Sequence, residues 1–298
     1  MAFELIKQLF EKDHINAIYR LGYYYDEGIG TNPDENEAFR LYKLAADKGN
    51  NDAKCKLLFL ELIEENSDVQ FLSGYYFGKG IGTKIDKNIA FQLYEKAAEN
   101  GNDDALYELS LLYESGDGVD KNEEEAFNSI KKLAEKGHVN AIFILGNYYK
   151  EGIGIKKDKH RAFQYYKEAA ENGNDDALYE LSLLYDSGEG VNKNEEMAFK
   201  LIKKLAEKDH INAIYRLGCY YFEGIGTEIN IKKAIELLKE LADKEYANAQ
   251  HRLGYYYEKG IGTHINILKA CELYTMAVIN GNVEALKSLN DLISNHGT

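Results

Sequence analysis

Several patterns in this chain have the residue types and spacing of chemistry. Ser129-Ile-Lys-Lys132 holds the bare Ser-x-x-Lys of a serine nucleophile with its lysine, as in β-lactamase-like hydrolases. The supporting motifs of that class are missing, and the pair falls mid-helix on what reads as the solvent side. Gly28-Ile-Gly30 and Gly152-Ile-Gly154 suggest a phosphate loop. They lack a third glycine, a preceding strand and a trailing Lys-Ser/Thr. They also recur along the chain, as structural turns do. His14, His138 and His210 share one repeated place just before a helix, which points to a turn or cap contact rather than a metal ligand. The runs Asn122-Glu-Glu-Glu125 and Asn194-Glu-Glu196 lack the alternating oxygens of a calcium loop. They sit at helix starts, where carboxylates oppose the positive end of the helix dipole. No pattern implies a metal, a cofactor or catalysis.

Bulk properties narrow the partners. The formal charge is −14, which repels phosphate backbones and anionic headgroups, so nucleic acid and membrane surfaces are excluded as default partners. Cys55, Cys219 and Cys271 are odd in number and match neither a zinc site nor a disulfide framework. The N-terminus carries charges where a secretory leader needs an apolar core. No apolar run has membrane-spanning length, and no Asn-x-Ser/Thr acceptor occurs. A reducing, cytoplasmic setting is expected.

What positions these residues is a repeat. Asn140 to Gly154, with Ala162 to Gly173, carries the skeleton Ala141, Leu145-Gly146, Tyr149, Gly152-x-Gly154, then Ala162, Tyr166, Ala169-Ala170 and Gly173. The skeleton returns about every 36 residues, as Ala105, Ala141, Ala177, Ala213 and Ala249 show, and such a period signals stacked supersecondary units. Each unit reads as two helices. In the first, helix A bears Ala17, Leu21 and Tyr25 on one face and ends at Gly28-Ile-Gly30. Helix B bears Ala38, Tyr42, Ala45 and Ala46, and stops at Gly49. The small residues let the two backbones approach closely.

The domain plan is a single all-α solenoid over 1–298, of about sixteen helices in antiparallel pairs. It comprises a half repeat at 1–14, a repeat at 15–50, a half repeat at 51–66, six repeats over 67–282 and a capping helix at 283–298. Residues 51–66 restart helix A with no helix B after it, so a defect filled by Leu57, Leu58, Leu60 and Leu62 is expected there. Met1-Ala-Phe-Glu-Leu-Ile-Lys-Gln-Leu9 nearly repeats Met197-Ala-Phe-Lys-Leu-Ile-Lys-Lys-Leu205, so the chain opens on a helix B. That start reads as a piece of a longer array, or as an end closed by Phe10. Ser110 and Ser182 replace the helix A glycine, in stretches that copy each other from Gly101 and Gly173.

The pattern Ala-x3-Leu-Gly-x2-Tyr-x2-Gly-x-Gly, then Ala-x3-Tyr-x2-Ala-Ala-x2-Gly, resembles the Sel-1-like repeat family, relatives of tetratricopeptide repeats. The resemblance covers nearly the whole chain. The family's frequent helix B tryptophan is replaced by Leu41, Leu93, Tyr165 and Leu273. The resemblance implies a right-handed superhelix, A helices on a concave face, and adaptor or scaffold roles. Some cysteine-rich relatives have been linked to penicillin-recognising activity.

By the same resemblance, helix A positions flanking the skeleton face inward. The candidate peptide-binding residues are Tyr19, Tyr23, Tyr75, Tyr107, Phe143, Asn147, Tyr179, Tyr215, His251 and Tyr255. Asn16, Asp26, Phe71, Leu111, Lys150, Leu183, Cys219 and Phe222 are the other inward-facing positions of the same set. The chain has 24 tyrosines and no tryptophan. Tyr25, Tyr113, Tyr149, Tyr185, Tyr221 and Tyr257 fall on the skeleton and are expected in the core, as are Tyr42, Tyr94, Tyr166 and Tyr274. The remaining rings suit a groove, because tyrosine offers broad area at low entropic cost plus a hydroxyl. The expected function is a non-catalytic protein–protein scaffold or adaptor that binds a neutral or basic, partly apolar peptide. The alternatives are a regulatory segment of a larger signalling protein and a β-lactamase-like hydrolase. Self-association through exposed terminal helices is a further expectation.

Overall fold

The computed structural model describes residues 2–54, 56–57, 66–81 and 84–296. Cys55, Leu58, Leu60, Leu62 and Gly82 lie outside them, so the expected packing of the half repeat is only represented by Leu57, which touches the core of the first repeat. The described residues form sixteen helices, besides helical residues at 51–54 and 56–57. They fall into two compact units, 1–129 and 130–298.

The first unit holds α1 (Ala2–Glu11), α2 (Ile15–Asp26), α3 (Glu35–Asp47), α4 (Ser67–Lys79), α5 (Lys87–Glu99) and α6 (Asp103–Ser115). Helix α7 (Glu123–Glu135) carries the boundary. The second holds α8 (Val139–Glu151), α9 (Lys159–Glu171), α10 (Asp175–Ser187), α11 (Glu195–Ala206), α12 (Ile211–Glu223), α13 (Ile231–Asp243), α14 (Ala247–Lys259), α15 (Ile267–Ile279) and α16 (Val283–His296). Within the second unit each helix packs on its chain neighbour, A on B and B on the next A.

Side-chain caps fix where helices begin. Asp34, Asp86, Asp158, Asn194, Asn230 and Asn266 each accept a bond from a backbone N–H in the first turn of a helix B. Asn102 and Asn174 do the same for helix A, and their amides also donate to Asp68 and Asn140 one repeat earlier. The repeated histidines divide. His210 Nδ1 accepts from the N–H of Ala213 at 3.2 Å, whereas His14 and His138 make no side-chain cap bond.

The A/B contact is closest where glycine meets tyrosine. A Cβ on Gly146 would stand 2.7 Å from two ring carbons of Tyr166, and Gly22, Gly74 and Gly254 meet Tyr42, Tyr94 and Tyr274 in the same way. The rings of Tyr42, Tyr166 and Tyr274 are buried, and their hydroxyls donate to Asp26, Asn147 and Glu258. Where Ser182 replaces the glycine, Ile202 replaces the tyrosine, and both are fully buried. The serine thus accompanies a smaller partner, and its hydroxyl donates to the carbonyl of Tyr179.

Two expectations need correction. Of the skeleton tyrosines at the end of helix A, Tyr149 is buried, but Tyr25, Tyr113, Tyr185, Tyr221 and Tyr257 are only half-buried. The residue one earlier takes the core place in Tyr148, Tyr220 and Tyr256. The skeleton rings join repeats instead. Tyr113, Tyr185 and Tyr221 meet Phe91, Phe163 and Phe199 of the preceding helix B edge-on, each at 5.4 Å. Ser129 is buried rather than solvent-facing, because it occupies the helix B position of Leu41 and Leu273, both core residues. Lys132 is exposed. Cys219 and Cys271 carry free thiols, and burial pushes the Cys219 thiol up, so it stays protonated at neutral pH.

Candidate functional site

In the first unit the candidate residues are separate. Tyr19 packs half-buried on Tyr42 at 5.6 Å, and the Lys79 ammonium lies 5.9 Å from the Tyr75 ring centroid. Tyr23 and Tyr107 are exposed. In the second unit Phe143 rests on Tyr166 at 5.8 Å, and Tyr179 stacks on the His210 ring at 5.6 Å. Asn147 already receives the Tyr166 hydroxyl at 2.7 Å, so that acceptor serves the A/B contact. Asn16 likewise accepts from Asn50 at 3.1 Å, and Lys150 pairs with Glu180 at 2.7 Å.

Tyr215, His251 and Tyr255 come together. They line a cleft of about 340 Å³ with Phe222, Arg252, Tyr256, Glu284 and Ser288. Three successive A helices supply the walls: α12, α14 and α16. Phe222 stacks on Tyr256 with centroids 5.0 Å apart, giving a flat apolar floor. Tyr215 meets Tyr246 at 5.6 Å, and His251 rests on Tyr274 at 5.5 Å. Tyr255 is 44% exposed at the rim, with its ring centroid 6.3 Å from that of Tyr256. Two larger hollows, about 710 and 690 Å³, lie elsewhere. Inter-repeat turns and cap residues such as Asn50 and Asn194 line them, and those side chains are committed to helix starts.

A cation sits in the wall of the aromatic cleft. Arg252 Nη2 donates to Glu223 at 2.9 Å, its Nε donates to the Tyr256 hydroxyl at 3.4 Å, and its guanidinium lies 5.7 Å from the Phe222 centroid. Arg216 repeats the motif one period earlier, donating to Asp186 at 2.7 Å. With Arg252 neutralised by Glu223, exposed Glu284 leaves the cleft open to a neutral or basic ligand.

Burial pushes His251 below its ordinary value of 6.5, and Arg252 adds to this while Glu284 opposes it. The unfolded chain therefore binds the proton first as pH falls. His251 contributes stability that is present above 6.5 and lost as pH drops through 6.5 toward the lower folded value. Thermal midpoints of the wild type are expected to fall between neutral pH and mild acid more steeply than those of His251→Gln. Parallel curves would contradict the assignment.

Sequence reasoning missed Arg252, Glu284 and Ser288. The recurrence of arginine at Arg20, Arg216 and Arg252 was the available signal. Ser288 Oγ lies 2.9 Å from His251 Nε2, a nucleophile-to-base distance. Ser288 is inside α16, where backbone N–H groups are used by the helix, so its own backbone offers no oxyanion-binding pair. Among the described residues, no three His, Cys, Asp or Glu side chains are grouped to hold a metal ion.

The Sel1 repeat profile matches residues 15–50, 67–102, 103–138, 139–174, 175–210, 211–246 and 247–282. Solved structures agree. The chain is 27% identical to a protective antigen present in uropathogenic Escherichia coli strains that displays an SLR fold, with a TM-score of 0.68. That match covers 99% of this chain and 60% of the antigen. A Sel1 repeat protein from Oxalobacter formigenes is 28% identical with a TM-score of 0.65, over 97% of this chain and 80% of its own. No curated protein sequence matches the chain significantly.

Proposed function

The chain belongs to the Sel1 repeat family, and on that premise we propose that it is a non-catalytic protein-binding scaffold whose α12, α14 and α16 hold an extended segment of a partner. The carrying observation is the aromatic cleft where Tyr215, His251 and Tyr255 converge. Its floor suits an apolar side chain, and Glu284 with the net charge of −14 favours basic flanking residues. An acidic segment would meet repulsion, since Arg252 is already paired. Within the first unit, exposed Tyr23 and Tyr107 are partner contacts of their own. An adaptor role, within a signalling assembly or as part of a larger protein, extends the same proposal. So does a reducing, cytoplasmic setting, which rests on the unpaired Cys219 and Cys271 thiols. No helix among the described residues is long and apolar enough to cross a membrane.

The test is selection of binders from a random peptide display library, followed by calorimetry. Selected peptides are expected to pair an aromatic or aliphatic residue with lysine or arginine. Tyr255→Ala should weaken them at least about tenfold, the effect of losing one exposed aromatic anchor. Tyr76→Ala, also exposed but on α4, should leave affinity unchanged. Equal affinity for both variants would move the site elsewhere.

The Ser288–His251 contact favours a second reading, a serine hydrolase. A fluorophosphonate probe separates the two. Under the scaffold reading Ser288 stays unlabelled; stoichiometric labelling that Ser288→Ala abolishes would establish the hydrolase.

A further inference from the structure

Helices α1 and α16 have complementary repeat roles. Helix α1 is a helix B by its contacts. Phe3 meets Tyr25 edge-on at 5.5 Å and lies against Gly30, as Phe199 of α11 meets Tyr221 at 5.4 Å and lies against Gly226. Helix α16 is a helix A. Asn282 accepts from the N–H of Ala285 and donates to Asn248, both at 2.8 Å, as Asn174 serves Ala177 and Asn140 before α10.

The match extends to sequence. Residues 1–9 match 197–205 of α11 except at Glu4 and Gln8, where α11 has Lys200 and Lys204. Helix α16 shares with α10 the pattern Gly281-Asn282, Ala285-Leu286, Leu289 and Leu292 against Gly173-Asn174, Ala177-Leu178, Leu181 and Leu184. Helices α10 and α11 pack together as one A/B pair.

Each end lacks what the other supplies. Leu5 is 60% exposed, whereas its counterpart Leu201 in α11 is half-buried and Leu41 and Leu273 at the same repeat position are buried. Ala2 is exposed and Ile6 only half-buried, against fully buried Ala198 and Ile202. On α16, Leu286 is 49% exposed where Leu178 and Ile214 are buried. Among the described residues no helix covers either face.

We propose that a second copy of this chain covers them: α1 of one copy packs on α16 of the next and rebuilds an α10/α11-type pair between molecules. A like-with-like contact is disfavoured, because two A helices bring two residues of the Asn290 kind to the place where a helix B offers isoleucine. The contact joins two different surfaces, so it either closes into a ring, a two-membered one included, or continues as an open chain.

Sedimentation of the 298-residue chain tests this. Wild type should show mass rising with concentration above that of the monomer. Leu5→Asp and Leu286→Asp, both at exposed positions with helicity checked by circular dichroism, should each sediment as monomers. Their equimolar mixture should give a one-to-one dimer and nothing larger, because one retains an intact α16 and the other an intact α1. A wild type that stays monomeric at the highest soluble concentration overturns the proposal. So does a dimer lost in Leu286→Asp but kept in Leu5→Asp, which would mean α16 pairs with itself. A mixture that remains monomeric overturns it as well.

Discussion

Gly226→Ala is expected to lower the unfolding free energy by about 2–5 kcal/mol, combining a left-handed backbone with overpacking against a neighbouring helix. Gly226 has φ +63°, and an added Cβ would lie 2.0 Å from the carbonyl oxygen of Glu195 in the preceding helix B. Backbone, not a flexible side-chain end, must yield. The control is Gly173, whose φ is +91° with nothing within 4 Å of the added atom. Asp209 and Glu245 occupy the same repeat position with φ of 60° and 63°. Gly173→Asp should therefore cost no more than about 1 kcal/mol, the scale of a single glycine replacement in open space. Urea titrations of the two variants give the comparison. Equal losses would mean that the left-handed backbone, not the approach of turn to helix, sets the requirement for glycine.

The second large effect is a compensated exchange. Gly146→Ser should cost about 1–3 kcal/mol by pressing on the Tyr166 ring. Tyr166→Ile should cost about 2–4 kcal/mol, through the cavity left by the ring and the lost bond to Asn147. The double variant should be less destabilised than the sum by about 1–3 kcal/mol, the coupling expected of residues in contact. This chain already carries the exchanged pair as Ser182 and Ile202, both fully buried. Simple additivity in a double-mutant cycle would show that repeats tolerate these residues independently.

The helices were legible because their signals are local: periodic alanines, capping Asn and Asp, and glycine at the turns. Tyr220, fully buried, and Tyr221, half-buried, show where local signals stop. Two adjacent rings at a helix end satisfy a 3.6-residue stripe almost equally, and only the neighbouring repeat decides which enters the core. Ser129 misled by type; its position, shared with Leu41 and Leu273, carried the information. The pairing of Ser182 with Ile202 was in the sequence, but it becomes interpretable only beside the contact of Gly146 with Tyr166.

The cleft was half legible. Tyr215, His251 and Tyr255 stand out because they vary where the skeleton does not. Arg252 and Ser288 did not stand out, since their partners Glu223 and His251 lie 29 and 37 residues away and no hydrophobic period marks such polar contacts. Asn147 is expected to be ligand-facing by resemblance to tetratricopeptide geometry, which carries no information on its side-chain partner, Tyr166 on α9.

Photo-crosslinking tests the central claim most directly. A display-selected peptide carrying a benzophenone at its apolar anchor is bound, irradiated and mapped by mass spectrometry. The scaffold account predicts crosslinks to Tyr215, Phe222, His251, Tyr255 or residues 284–288. Crosslinks confined to α11, α13 and α15, or to the first unit, would contradict it.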